Sequence, residues 1–290
     1  MDYAEVNPLD STIKQAVSEK LLVLEKEFDA DVIFFYGEIY PNSFTIYRSL
    51  LEQLNISSDK HKRLVIFLNT PGGSVETVEK YVNVNRYFYD EVFFVVPDQA
   101  MSAGTVFCMS GDKIYMDYSS SLGPIDPQIY NGERYVPALG YLDKIKEMVD
   151  KSNKGEPLNA VELFLLQKQD IAFLRLCEQQ SSLTVDLIEK WLVEYKFKNW
   201  STHTKTKVEV TLAEKSEQAK QIAEQLGDNT KWLSHGRCID INKLNDMGLA
   251  IENYSENEHL TDSIRSYNDL LVSYIMRNRM SFFLNSRLYF

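Results

Sequence analysis

Cysteine is scarce in this 290-residue chain: Cys108, Cys177 and Cys238 lie far apart, are odd in number and form no C-x-x-C pair. That spacing excludes a disulfide frame or a thiolate metal site and reads as buried thiols of a reducing compartment. Histidine is nearly as scarce, and His61, His203, His235 and His259 are scattered with no H-E-x-x-H, so no metal and no other cofactor is expected. Long hydrophobic runs are missing as well. No segment approaches about eighteen uninterrupted apolar residues, which argues against a transmembrane helix. The opening Met1-Asp2-Tyr3-Ala4-Glu5 lacks the basic and apolar regions of a signal peptide, so a cytoplasmic location is expected. Positive charge is in deficit, 31 basic against 42 acidic residues for a net −11. Such a surface repels phosphate backbones and anionic lipid, making nucleic acid and membrane poor partners.

What is present is ordinary globular composition, 44% hydrophobic and 25% charged, at a length that can bury a full core as one large domain or one domain with an appended subdomain. The first thirty residues carry a helical period with Leu21, Leu22 and Leu24 as the buried stripe. Three continuous apolar runs follow, Val32–Tyr36, Leu64–Leu68 and Val92–Val96. Their length and their β-branched and aromatic content suit strands covered on both faces. Helical stretches at about 44–55 and 75–89 separate them, the alternation expected of stacked βαβ crossovers in an α/β fold. A fourth short strand is expected at Lys113–Asp117, after Gly111 stops a short helix begun near Ser102. Beyond Gln128 helical periods dominate, at about 138–150, 157–180 and 183–196, followed by a polar break from Asn199 to Lys207. The next helix opens with the capping box of Thr211 and Glu214 and closes at Gly227. A short helix over Ile241–Met247 is capped by Asp240 and stopped by Gly248. The last helix is expected over about 261–284, with Ile264, Tyr267, Leu270, Leu271, Tyr274 and Ile275 on one stripe. Its basic and aromatic end is a candidate subunit contact or packed tail.

Two loops at the carboxyl ends of expected strands carry the chemistry, because open parallel sheets hold their ligand sites there. In Asn69-Thr70-Pro71-Gly72-Gly73-Ser74, two glycines allow the backbone to approach a ligand with N–H groups pointing outward, and Ser74 can cap the following helix. Fixed donors where negative charge develops are the requirement of an oxyanion hole. In Asp98-Gln99-Ala100-Met101-Ser102-Ala103-Gly104-Thr105, Ser102 stands at a strand-to-helix turn among small residues, which suits an accessible nucleophile at a helix start. Each loop alone is common as a plain turn or cap. At the ends of neighbouring strands they would face one another across a cleft.

These two segments, with Ser121-Leu122-Gly123-Pro124-Ile125-Asp126-Pro127-Gln128, resemble the Clp-type serine proteases, and most of all the serine dehydrogenase proteinase branch of the signal peptide peptidase A-like enzymes. The resemblance covers about residues 30–130 and resumes more loosely at Trp232–Ile251. It implies a Clp-protease/crotonase-like fold, a stacked ββα superhelix with added helical segments. Residues 1–260 would form the catalytic domain, with a helical insertion at about 135–230, and 261–290 a C-terminal helix. It implies a serine peptidase acting on a peptide or protein substrate through an acyl-enzyme at Ser102, with Gly73 (or Gly72) and Ala103 supplying the oxyanion donors, and a homo-oligomer.

The base stays open at the level of sequence. Where the Clp proteolytic subunit carries its catalytic histidine, this chain has the Leu122–Asp126 region and no histidine. His235 lies near the place where Clp-type enzymes supply the third triad member, and its ordinary pKa suits a base near neutrality. Lys154, with Lys151, lies roughly where the signal peptide peptidase branch supplies a lysine, but in a loop that reads as solvated. Asp126 could orient a histidine, or simply belong to a turn between Pro124 and Pro127. Two other classes share the superfold. A crotonase-type acyl-CoA enzyme needs no hydroxyl at Ser102, and basic residues for a CoA arm are not evident near the glycine loop. An inactive oligomeric scaffold would leave the same motifs without a working base.

Overall fold

The computed structural model describes residues 8–57, 60–203 and 207–290; the opening pentapeptide and part of the Asn199–Lys207 break lie outside them. The chain begins with helix α1 (Pro8–Phe28) and then alternates strand and helix: β1 (Asp31–Gly37), α2 (Phe44–Ile56), β2 (Arg63–Asn69), α3 (Val75–Phe88) and β3 (Glu91–Val95). Then follow β4 (Gln99–Ala100), α4 (Ala103–Cys108), β5 (Lys113–Met116), β6 (Ser121–Leu122), and a hairpin of β7 (Gln128–Tyr130) and β8 (Tyr135–Pro137). Helices α5 (Ala138–Asn153), α6 (Ala160–Gln167), α7 (Ile171–Trp191), α8 (Leu212–Gly227), α9 (Asn229–Trp232) and α10 (Ile241–Asp246) lead to β9 (Glu252–Asn253), α11 (Glu258–Arg277) and β10 (Phe282–Asn285).

The main sheet runs β10-β1-β2-β3-β5-β9, parallel throughout except for β10, which pairs antiparallel with β1. Alternation along each strand explains the apolar runs. Ile33, Phe35, Leu64, Ile66, Leu68, Val92 and Phe94 enter one core, beneath α2, α3, α4, α7 and α8. Val32, Phe34, Val65, Phe67, Phe93 and Val95 enter the other, beneath α1 and α11. Side chains of successive strand residues point to opposite faces, so a sheet covered on both needs apolar residues at every position. Each large side chain buried in this way contributes about 1.5–3 kcal/mol before the entropy of ordering is set against it.

At the carboxyl edge the strands turn into a second, smaller layer. Ile39 bridges Gly73, Thr70 bridges Ala100, β4 pairs with β6, and Leu122 bridges Ile239. A long strand, a short second strand and a helix repeat along the chain, which is the Clp-protease-like α/β architecture.

Several boundaries differ from the sequence reading. On α1, Leu21 and Leu24 are buried but Leu22 is exposed, since it faces away from the α11 contact. The break placed near Ser181-Ser182 falls instead at 168–170. Asp170 caps α7 by accepting from the Ala172 and Phe173 amides, and the helix then runs unbroken to Trp191 before a π-helical turn over Leu192–Lys196. The terminal helix ends at Arg277, and Arg279 turns the chain at φ +55°, so Phe282–Asn285 form an edge strand. Cys108 and Cys177 are buried as expected, whereas Cys238 is exposed because the element it enters is a single bridge at Ile239. Among the described residues no helix is long and apolar enough to cross a membrane.

Candidate active site

The small second layer brings the two loops together. Thr70 N–H donates to the Gln99 carbonyl at 2.9 Å and Met101 N–H to the Thr70 carbonyl at 3.0 Å, tying the diglycine segment to the serine segment. Contact is close enough that glycine is required. A methyl group on Gly72 (φ +111°) would meet Ser102 Cβ at 2.8 Å, and one on Gly73 (φ +141°) would meet the Ile39 carbonyl oxygen at 2.0 Å.

Ser102 itself has φ +52° and ψ −118°, a conformation rare for a residue with a side chain. Such strain, where the surrounding structure over-determines it, clusters at functional sites. Here the determinants are visible. β4 enters, α4 leaves one residue later, and Thr105 clamps the turn by donating its hydroxyl to the Ala100 carbonyl at 2.8 Å while accepting from the Gly123 N–H at 2.9 Å. Strand-to-helix turns of this kind push the serine hydroxyl out over the carboxyl end of a sheet. Ser102 lines an open cavity of about 630 Å³ together with Gly73, Ala103, Tyr40, Gln180 and His235.

The amides differ in availability. Gly72 N–H donates to Thr70 Oγ1 at 3.0 Å. The bridge between Ile39 and Gly73 uses the Gly72 carbonyl and the Ser74 N–H, so the Gly73 N–H points away from Ile39. Ala103 is the first residue of α4, and first-turn N–H groups have no acceptor within their own helix.

His235 arrives from far along the chain. Leu233, left-handed at φ +63°, ends α9, and two reciprocal hydrogen bonds between Leu122 and Ile239 (3.0 and 2.9 Å) hold the following loop against the 122–126 segment. His235 Nδ1 then lies 2.8 Å from Asp126 Oδ1. Asp126 is buried, its backbone fixed by the Ile125 N–H donating to the Leu226 carbonyl, and its Oδ2 accepts from Gln128 Nε2 at 2.8 Å. Lys154 is an exposed cap residue of α5 and does not line the cavity; Lys151 pairs with Glu162 at 2.9 Å. Lys196 is a lysine whose pKa burial pushes down to about 8, but it sits on the π-helical turn and does not line the cavity either.

Sequence reasoning did not find Thr105, Gln128 as the partner of Asp126, or the wall that α7 contributes through Gln180 and Thr184. Thr105 and Gln128 sit inside the motif segments, where a hydroxyl after the nucleophile and an amide after a carboxylate were available as signals. Gln180 and Thr184 carry none, since polar positions on an amphipathic helix look alike until it is docked.

Comparison with known proteins finds similarity in part of the chain. Residues 48–156 match the family described as ClpP-like SDH-type serine proteinase. Two uncharacterized proteins of Methanocaldococcus jannaschii are similar: one is 36% identical over 83 residues, 29% of this chain and 28% of that protein. The other is 25% identical over 186 residues, 64% of this chain and 51% of that protein. The chain thus spans about a quarter and about half of the length of these relatives. Among solved structures, a mutant form of the 1510-N membrane-bound stomatin-specific protease superposes at TM-score 0.33 and 19% identity, over 42% of this chain and 63% of that one, too loosely to bear on the site. The stretch that holds the diglycine turn, Ser102 and Asp126, within residues 48–156, is thus similar to the ClpP-like SDH-type serine proteinases.

Proposed function

We propose that this protein hydrolyses peptide bonds with Ser102 as nucleophile, His235 as general base, Asp126 as the group that orients it, and the Gly73 and Ala103 amides as oxyanion donors. The observation that carries the reading is the 2.8 Å contact between His235 Nδ1 and buried Asp126, with His235 and Ser102 lining the same cavity. When Nδ1–H donates to Asp126, the imidazole keeps Nε2 free to take a proton, the tautomer a base needs.

In this mechanism Ser102 Oγ attacks the scissile carbonyl carbon as its proton passes to His235 Nε2. The carbonyl oxygen becomes the oxyanion, met by the Gly73 and Ala103 N–H groups. His235 returns the proton to the leaving amine, the C–N bond breaks, and an ester to Ser102 remains. Water, deprotonated by the same nitrogen, then releases the carboxylic acid and restores the serine. Chain order is Ser…Asp…His, the order of the α/β-hydrolases rather than of chymotrypsin. Gly72 serves the turn, and Lys154, solvated and outside the cavity, has no part in the reading.

A fluorophosphonate probe tests it. Labelling is expected at Ser102, abolished in Ser102→Ala and reduced at least about a hundredfold in His235→Ala and Asp126→Asn, the range general-base loss produces. No labelling, or labelling indifferent to His235, sinks the proposal. Self-association belongs to the same reading: α6 buries none of its residues and holds Val161, Leu163 and Phe164 open to solvent, which suits a subunit contact. A monomer in sedimentation at micromolar concentration would remove that part.

A further inference from the structure

We infer that the cleft selects extended polypeptide carrying a lysine or arginine within a residue or two of the scissile bond, an inference that rests on the peptidase reading above. The ionisable acid and imidazole side chains lining the 630 Å³ cavity are Glu38, Glu76 and His235, the last already bonded to Asp126; among the described residues no lysine or arginine lines it.

Glu76 is exposed but tethered by hydrogen bonds to its neighbours. It stands in the first turn of α3, where the helix N-terminus favours negative charge. Its Oε2 accepts from the Ser74 hydroxyl at 2.9 Å, and its Oε1 accepts from Gln180 Nε2 of α7 at 2.9 Å. Burial alone would raise the carboxyl pKa, yet the bonds from Gln180, its own backbone and Ser74 outweigh it and hold the pKa below the ordinary value. These three donors leave the carboxylate room for a further one, since an ionised carboxylate offers about four lone-pair sites. Ser74 directly follows Gly73, so this charge sits one turn from the proposed oxyanion donors. Glu38 flanks the same turn from the other strand, since its neighbour Ile39 pairs with Gly73.

A cleft with two carboxylates and no facing cation attracts a basic side chain and repels an acidic one. Val106, Ile125 and Thr184 supply a partly apolar floor in the same cavity, suited to the aliphatic stem of such a residue while its charged end reaches a carboxylate. The Gln180 contact gives the inserted helix a part in specificity: it orients the anion from the opposite wall.

The experiment is a mixed peptide library digested by fluorophosphonate-reactive protein and read by mass spectrometry. Bonds next to lysine or arginine should be cut about tenfold more often than bonds flanked by aspartate or glutamate, and that bias should shrink as salt screens the cleft. Glu76→Gln should lower the ratio of basic to neutral cleavage about tenfold. The salt dependence of the unsubstituted protein tests the same point should that variant misfold. A protein that labels at Ser102 but cuts basic and acidic sites alike, without salt dependence, overturns the specificity and leaves the peptidase reading standing. A protein that does not label overturns both.

Discussion

In β2 every residue from Leu64 to Asn69 is buried, whereas in α6, one hundred residues later and just as rich in leucine, none is. The sheet spends its apolar side chains on two cores at once. Helices α5 to α7 touch the body mainly through the far half of α7, where Thr184, Leu187, Ile188 and Trp191 are covered, and leave Ile171 and most of α6 in solvent. Similar composition therefore builds stability in one region and presents surface in the other. The candidate site lies on the seam: Ser102, Gly73 and Asp126 come from the buried frame, Gln180 and Thr184 from the docked end of the helical segment.

The contrast can be broken from either side. Phe67, wholly buried and packed edge-on against Tyr267 at 5.2 Å, should cost about 3–5 kcal/mol when replaced by alanine, read as a fall in the denaturant midpoint. A smaller effect is expected at the frame's polar edge. Asp117, buried at the end of β5, accepts from Arg265 Nη2 at 2.5 Å and from Ser119. Burial opposes ionisation, but these bonds prevail and bring its pKa from 3.8 down to about 2. Because the folded value is depressed, its stabilisation is present above about pH 4 and lost as pH falls from about 4 to about 2. The amount is on the order of 2 kcal/mol. Acid titration of stability for the wild type and Asp117→Asn should converge below that window and diverge above it; parallel curves would refute the assignment. Smallest of all, Phe164→Ser on α6 should change unfolding free energy by no more than about 0.5 kcal/mol while weakening self-association. A large loss in dilute protein would mean that α6 is core after all.

The same contrast explains what could be read from sequence. Strands covered on both faces write themselves as continuous apolar runs, so β1, β2 and β3 were legible, and the glycines and serine between them gave the frame of the site. Capping chemistry was legible too: Thr211 and Glu214 form the capping box, and Asp240 accepts from the Lys243 amide. The division at 168–170 was not, because Leu165, Leu166 and Ile171 continue an apolar period that no core enforces. Nor was β10, since Phe282–Leu284 prolong the apolar stripe of α11 and only the open edge of β1 makes them a strand. The choice of His235 as the proposed base stayed open for the same reason. Nothing local to His235 announces it; a two-bond pairing with Leu122 brings it to Asp126.

That pairing has a consequence for the birth of the molecule. His235 is synthesised 109 residues after Asp126 and later still than the serine, outside the stretch shared with the family. On the proposed mechanism, a nascent chain, or a fragment cut within the inserted helices, would carry Ser102 without His235 to take its proton. Hydrolysis by that mechanism would begin only once the last third of the polypeptide has emerged and docked, sparing the ribosome and neighbouring nascent proteins.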